Sequence, residues 1–348
     1  MGKCCVSGAG SINVDYKTMA PAYATDECID GLAYGEKAMG FMYSGDAAYI
    51  LSENENMRYY APDEGTNYFV DAMVIQKGAK NVENAYKFSD VFLLDKNNYL
   101  SEVSVVTEGD SLESKLKSKI DSITKKNVSK SNFKPIIPVN TKVISLNVKD
   151  NLCTIDFSKE FLSISASLEE KLIEAVVYTL TSESEITEVI IKVEGSILER
   201  LPNSNKLLPN KFDRSYGINK EYDINSLYDL TKTTIYYVGE DEGDTYYVPV
   251  TKINNDNSEK ISIIVNELKS SLLYQSNLGS YLSSKATLED YKVEEEVMKL
   301  TFNDKIFDSM YDKNILEEVV YTIGKSVKEN YSVSKVIFYV DDKEVTEF

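Results

Sequence analysis

Apolar residues recur at two spacings after about residue 99, and these spacings predict alternating strands and amphipathic helices. Apolar side chains at every second position are typical of half-buried strands, and apolar side chains at three- and four-residue intervals lie on one face of a helix. The strands are predicted at 99–106, 143–147, 153–157 and 188–193, and the helices at 112–123 and 168–180. The predicted order is therefore strand, helix, two strands, helix and strand.

This order of elements occurs twice, because two parts of the chain have similar sequences. Residues 172–180 recur as 315–323 at an offset of 143, and the strand around Phe157 recurs around Phe302 at an offset of 145. Similarity at a fixed offset indicates an internal repeat. A repeat of this length predicts two tandem copies of one domain, each with a core of its own, unlike the short units of a solenoid.

The second copy opens with a tyrosine-rich segment, 234–250, which is predicted to form a hairpin that turns at 241–244. Its tyrosines are Tyr236, Tyr237, Tyr246 and Tyr247. Tyrosine favours strands, so we expect ordinary strand residues, although an exposed face of them would suit a protein interface. The turn at 241–244 and the acidic loop at 254–259 lack the ordered ligand spacing and central glycine of a calcium loop, so we expect solvated turns.

The fold expected from this order is α+β, with helices on one face of a small mixed sheet in each copy. We place the first copy at 90–201 and the second copy at 232–348. Residues 202–231 are polar and rich in turn-forming residues, which predicts a linker. Residues 1–89 do not share the repeat and form a separate segment.

Composition and charge then narrow the classes of function. The chain has 348 residues and a net charge of −18, which disfavours nucleic acid and anionic membrane surfaces as partners. Hydrophobic residues make up 43%, so the chain is expected to be globular rather than disordered. We find no apolar run of transmembrane length, and the N-terminus lacks the apolar core of a signal peptide.

Histidine is absent, which excludes Ser-His-Asp and Cys-His catalysis and histidine-ligated zinc. The four cysteines, Cys4, Cys5, Cys28 and Cys153, have neither the spacing of a metal site nor that of a disulfide framework. Cys153 lies in an alternating strand, so we expect it in the core. No residue set supports catalysis, so we expect a protein that is not an enzyme and that has no metal and no cofactor.

The first repeat resembles the GerMN domain of bacterial spore formation and germination proteins. The resemblance is carried by the strand at 155–158, the helix end at 178–181 and the closing strand and turn at 189–195. In the second repeat Asp341 and Asp342 replace the usual acidic-glycine turn. The resemblance implies an extracytoplasmic protein, often lipid-anchored, with no known catalysis in the domain. Our leading hypothesis is an interaction or scaffold module of the cell or spore envelope, whose partners are envelope or spore-coat and cortex proteins.

Four segments before residue 89 resemble a different family, the spermidine/putrescine-binding proteins of ABC transporters. They are 30–40, 43–47, 62–66 and 69–75 with 77–88, and Gln76 stands where the family usually has proline. The match is to the carboxyl half of these receptors, which are built from two lobes. It therefore implies an incomplete α/β periplasmic-binding-protein lobe in 1–89.

This second resemblance carries a candidate polyamine site. Tyr43, Phe69 and Asp71 match the positions at which the family pairs a carboxylate with an ammonium group and places aromatic rings along the methylene chain. The ligand implied is spermidine or putrescine. The alternative is that Tyr43 and Phe69 are core aromatics and Asp71 is a turn or capping residue, because the opposite lobe is absent.

Three interpretations follow. The first is a non-enzymatic interaction or scaffold protein of the envelope or spore, and the second is the substrate-binding component of a polyamine transporter. The third is a fusion of two unrelated genes, because the receptor fragment starts within a domain, meets the repeat without a linker and leaves an exported family without a signal peptide.

Overall fold

A computed structural model of the chain describes most of residues 88–348 and short pieces before residue 59. In the first range the gaps are 125–131, 242–243, 270–277 and 309–312; the short pieces are 3–6, 22–23, 29, 32–34, 37–41, 44–54 and 56–58. The chain divides into two compact units, Met1–Lys77 and Gly78–Phe348.

The described residues of the first unit form three parallel strands and a helix of ten residues. The elements are β1 (Lys3–Val6), β2 (Ala22–Tyr23), β3 (Lys37–Phe41) and α1 (Ser44–Glu53). The strands lie in the order β2-β1-β3, and β1 pairs in parallel with both neighbours. Leu32 and Ile50 are buried together in a small apolar cluster.

In the second unit, the described residues of the first repeat form six strands and two α-helices. The elements are β4 (Phe88–Leu94), β5 (Leu100–Val106), α2 (Leu112–Ser122), β6 (Val143–Lys149), β7 (Leu152–Phe157), α3 (Glu169–Leu180), β8 (Glu188–Val193) and β9 (Ser196–Ile197). All six segments predicted by periodicity are present. Strand β4 was not predicted, because its apolar residues form a continuous run that is buried on both faces and does not alternate.

The second repeat follows the same order. Strand β10 (Glu221–Asp223) lies in the segment between the repeats. The elements of the second repeat are β11 (Thr231–Asp241), β12 (Asp244–Asn254), α4 (Lys260–Lys269), β13 (Leu278–Gly279), β14 (Leu288–Glu294), β15 (Val297–Phe302), α5 (Glu317–Asn330), β16 (Lys335–Val340) and β17 (Lys343–Glu347). Strands β11 and β12 form the predicted hairpin.

Each repeat contains a four-stranded mixed sheet with the same topology. The strand orders are β6-β7-β8-β9 and β14-β15-β16-β17. The outer pairs are antiparallel and the central pairs, β7–β8 and β15–β16, are parallel. Parallel neighbours need a crossover connection, and α3 and α5 supply it. The matching topology confirms the prediction of two copies with mixed sheets.

A third sheet joins the two repeats. Its strand order is β13-β11-β12-β5-β4, so each repeat contributes one hairpin, and the two hairpins meet where β12 and β5 pair in antiparallel orientation. The paired residues are Tyr247 and Glu102. They are 145 residues apart, the same offset that relates Phe157 to Phe302. Equivalent strands thus meet around a local two-fold axis.

The hydrophobic core is also continuous across the two repeats. Buried residues of the first repeat, such as Phe92, belong to the same cluster as buried residues of the second, such as Val250. We expected a separate core in each copy. The shared sheet explains the difference, because the apolar face of a continuous sheet is buried as one surface.

Within residues 202–231, whose composition predicted a linker, the part around 208–219 is packed, whereas residues 222–230 are exposed. Leu208, Phe212 and Ile218 are buried in the shared core. Phe212 also exchanges backbone hydrogen bonds with Val189 of β8. A few apolar anchors hold this polar segment against the first repeat.

The four tyrosines of the β11–β12 hairpin are not an exposed interface. Tyr236, Tyr237 and Tyr246 are buried, and Tyr247 stacks on Tyr321 with ring centroids 3.8 Å apart. They are strand residues: Tyr237 bonds to Glu267 of α4, and Tyr246 packs against Phe133 and donates to Asp95. Within the described part of the chain, no helix combines the length and apolar character needed to cross a membrane.

Candidate functional site at the boundary between the repeats

The residues predicted to bind polyamine, Tyr43, Phe69 and Asp71, lie outside the described residues. The described residues contain a different polar site, at the boundary between the repeats. It surrounds a cavity of about 280 Å³. We call its charged members the boundary cluster: Glu102, Arg214, Lys325, Lys328 and Glu329.

Arg214 and Glu329 form the central ion pair of the boundary cluster. Arg214 Nε lies 2.8 Å from Glu329 Oε1, and Arg214 Nη2 lies 2.7 Å from Glu329 Oε2, which is a bidentate arrangement. Arg214 belongs to a short 3₁₀ turn in the segment 202–231, and Glu329 lies in the last turn of α5. The pair therefore ties this segment to the second repeat.

Arg214 also contacts the first repeat through Tyr178 of α3. Its guanidinium carbon lies 4.2 Å from the centre of the Tyr178 ring, a cation–π contact. The Tyr178 hydroxyl donates to the backbone oxygen of Arg214 at 2.9 Å. Burial raises the pKa of Tyr178 above its usual value, so the phenol remains neutral and acts as a donor.

A second ion pair crosses the boundary directly. Lys325 Nζ of α5 lies 2.6 Å from Glu102 Oε1 of β5. Burial raises the pKa of Glu102, while Lys325 acts in the opposite direction. The pair stands beside the point where β5 meets β12, so it reinforces the short contact between the two hairpins.

Asn219 bridges the same two strands, β5 and β12, two residues along from the pair of Glu102 and Tyr247. Its Nδ2 atom donates to the backbone oxygens of Leu100 and Pro249, each at 2.8 Å. Its Oδ1 atom accepts the Leu100 N–H at 2.9 Å. Leu100 begins β5 and Pro249 lies in β12, so one buried amide links both repeats. We did not identify Asn219 from the sequence, where it is one polar residue in a predicted linker.

The backbone of Asn219 contacts a buried carboxylate. Its N–H donates to Glu174 Oε2 at 2.8 Å, and Lys220 Nζ lies 3.3 Å from Glu174 Oε1. Burial raises the pKa of Glu174 to about 7, although Lys220 and the Asn219 N–H favour the charged form. This places a buried carboxyl group with a raised pKa directly beside the Asn219 bridge.

The chemistry of these groups favours structure over catalysis. The central charges of the boundary cluster form ion pairs with one another. Burial raises the pKa of Tyr236, so its side chain stays a neutral phenol. Cys153 is buried in β7, as expected, and burial raises its pKa to about 12, which disfavours the nucleophilic thiolate. In the part of the chain that the structure describes, acidic and cysteine side chains do not meet in groups of three that could hold a metal.

The sequence model of the Germane family, described as sporulation and spore germination, matches residues 90–199 and 234–346. The chain belongs to the Germane family. The two matched ranges coincide with the two structural repeats, so the family domain occurs twice. The prediction of tandem GerMN domains is therefore confirmed.

A similar protein and a solved structure extend this result. The Germane chain is 31% identical over 270 residues to the spore germination protein GerM of Bacillus subtilis (strain 168), a match that covers 73% of this chain and 71% of that protein. The solved structure of the tandem GerMN domains of the sporulation protein GerM from Bacillus subtilis superposes with a TM-score of 0.67 at 29% identity. That match covers 74% of this chain and 91% of the solved chain.

These findings support the GerM-like part of the sequence analysis and not the polyamine-binding part. The family matches begin at residue 90, after the segment that resembles a polyamine receptor. Sporulation and germination are thus the biological setting that the comparisons support.

Proposed function

We propose that this Germane protein is a non-enzymatic scaffold of spore formation or germination, located in the cell envelope or spore. Its partners would be envelope or spore-coat and cortex proteins. The observation that carries the proposal is the sheet shared by the two repeats. A scaffold must hold its binding surfaces at a fixed relative position, and a continuous sheet and core do this for the two repeats.

The boundary cluster supports a scaffold role rather than a catalytic one. Its two central ion pairs join the repeats and are largely withdrawn from water. Removing one partner of such a pair leaves an uncompensated buried charge, so these residues act mainly to fix one arrangement of the repeats. Tyr178 and Asn219 add hydrogen bonds at the same boundary.

The proposal is tested by deleting the gene in its own spore-forming host and then restoring it. A strain without the gene should form fewer heat-resistant spores or spores that germinate poorly, and the wild-type gene should restore them. A fluorescent fusion should concentrate at the envelope around the developing spore. An even distribution through the cell would contradict the proposed location.

Two conservative variants separate a scaffold from an enzyme. Glu102→Gln and Lys328→Gln remove charges that line the boundary cavity. If the protein is a scaffold, spore yield should follow the amount of folded protein measured by immunoblot. Loss of function in either variant at normal protein abundance would show that the cavity performs chemistry.

A further inference from the structure

An exposed apolar surface lies in the segment between the two repeats. All of residues 222–230 are exposed, and five of the fourteen exposed large hydrophobic side chains among the described residues fall within these nine positions. They are Tyr222, Ile224, Leu227, Tyr228 and Leu230. Leu227 and Tyr228 are 80% and 81% exposed. We call this surface the 222–230 loop; exposed apolar side chains are common singly, but a group of this kind marks an interaction site.

The side chain of Asn255 fixes the backbone in the middle of the 222–230 loop. Asn255 Oδ1 accepts the N–H groups of Asn225 at 2.8 Å and Ser226 at 3.1 Å. Asn255 Nδ2 donates to the backbone oxygens of Ser226 at 3.0 Å and Tyr228 at 2.7 Å. Four hydrogen bonds from one amide fix the backbone on both sides of Leu227.

The start of the loop is fixed by the shared sheet. Strand β10 pairs in parallel with the end of β12, which places Tyr222 opposite Ile253. Lys252 Nζ lies 2.7 Å from Glu221 Oε2 and reinforces the same pairing. The apolar side chains are thus presented by a fixed backbone, which reduces the conformational entropy lost when a partner binds.

The charges of the loop indicate the chemistry of the partner. Asp223 and Asp229 are exposed beside the apolar side chains, and residues 221–231 contain no lysine or arginine. The whole chain has a net charge of −18. An anionic lipid surface would be repelled, and so would a second copy of this chain, because both are negatively charged. A protein surface with basic residues around an apolar pocket is complementary.

We propose that the 222–230 loop docks into an apolar pocket, bordered by lysine or arginine, on a partner protein. Leu227 and Tyr228 enter the pocket, and Asp223 and Asp229 face its basic border. Tyrosine is common at the energetic centres of interfaces because its ring is large and rigid and its hydroxyl can form a hydrogen bond. Asn255 acts as a positioning residue for this surface.

The test uses the full-length protein with a photo-crosslinking amino acid, p-benzoylphenylalanine, at position 227 in the sporulating host. A second protein carries the same probe at position 139, where Val139 is equally exposed but lies outside the loop. The expected result is a cross-link to one protein from position 227 and not from position 139. The cross-linked protein is then identified by mass spectrometry, purified and titrated by calorimetry.

The titration compares the wild type with Leu227→Ser/Tyr228→Ser, Asp223→Lys/Asp229→Lys and the control Val139→Ser. Both double variants should weaken binding at least about tenfold, the size expected for an interface centre. Binding by the wild type should weaken with added salt, and Val139→Ser should bind as the wild type does. Circular dichroism checks that each variant is folded.

Other outcomes would overturn the proposal. Cross-links only to a second copy of the chain would indicate self-association, and cross-links only to lipid would indicate a membrane contact. Equal cross-linking from positions 227 and 139, or binding that the Leu227→Ser/Tyr228→Ser variant does not change, would show that the loop is not a docking surface. None of these results depends on the scaffold test, which measures spore yield and location.

Discussion

The side chain of Asn219 pairs with the backbone of Leu100 as a strand would. It accepts the Leu100 N–H and donates to the Leu100 oxygen, at 2.9 Å and 2.8 Å. The two residues are 119 positions apart, and Leu100 opens the strand that meets the second repeat. The direct pairing of β5 with β12 involves one residue pair, so this amide extends the contact between the repeats.

Asn219→Gly should therefore destabilise the protein strongly. Asn219 has a φ of +48°, which glycine adopts easily, so this substitution removes the amide without straining the backbone. Each buried group left without a partner costs about 1–3 kcal/mol, and we expect a loss of at least about 3 kcal/mol in urea unfolding. Asn147→Ala, at an exposed position of β6, should cost less than about 0.5 kcal/mol. A loss below about 1 kcal/mol for Asn219→Gly would contradict the bridging role.

The ion pair of Arg214 and Glu329 should show energetic coupling. In a double-mutant cycle with Arg214→Met and Glu329→Gln, each single variant should lose about 2–4 kcal/mol, because one charge stays buried without its partner. The double variant should lose less than the sum, with a coupling of at least about 1 kcal/mol. The exposed pair of Lys211 and Glu188 provides the control, with an expected coupling below about 0.5 kcal/mol. Equal coupling in both pairs would argue against a structural role for Arg214.

Glu174 should make stability depend on pH near neutrality. Its folded pKa of about 7 is above the usual value of 4.5, so the folded state holds this proton more tightly than the unfolded state. The stabilising contribution of protonated Glu174 to the folded state is fully present below about pH 4.5 and is lost as pH rises through about 7. Glu174→Gln cannot ionise, so it should gain up to about 3 kcal/mol relative to the wild type between pH 5 and 8. Chemical unfolding at several pH values measures this difference.

Glu188→Gln is the matched control for that experiment, because Glu188 is an exposed carboxylate paired with Lys211. An equally large pH dependence in Glu188→Gln would show that the effect does not come from the burial of Glu174. A constant difference for Glu174→Gln would show that Glu174 does not titrate in this range.

Cys153 should resist thiol reagents while the protein is folded. Burial raises its pKa to about 12, and the side chain is fully buried in β7, so both thiolate formation and access are suppressed. In a variant with Cys4, Cys5 and Cys28 replaced by serine, labelling at pH 7.5 should be negligible without denaturant and should follow the unfolding transition in urea. Rapid labelling of the native variant would show that β7 opens locally.

The repeat was evident in the sequence because its signals are local. Residues 172–180 and 315–323 share the apolar spacing of a helix. This spacing depends only on the helix period and not on what the segment packs against. Alternation in β6 and β7 identified strands in the same way. Strand β4 could not be predicted in this way, because burial on both faces removes the alternation of apolar and polar residues that marks a strand.

The amino-acid sequence by itself thus determined most of the local elements, the tandem repeat and the family to which the chain belongs. Only the tertiary structure decided that β5 pairs with β12, that Asn219 is a buried bridge and that the 222–230 loop is exposed. The physical reason is distance along the chain. The periodicity of apolar residues shows which face of a segment is buried. Which segment packs against that face depends on residues about a hundred positions away.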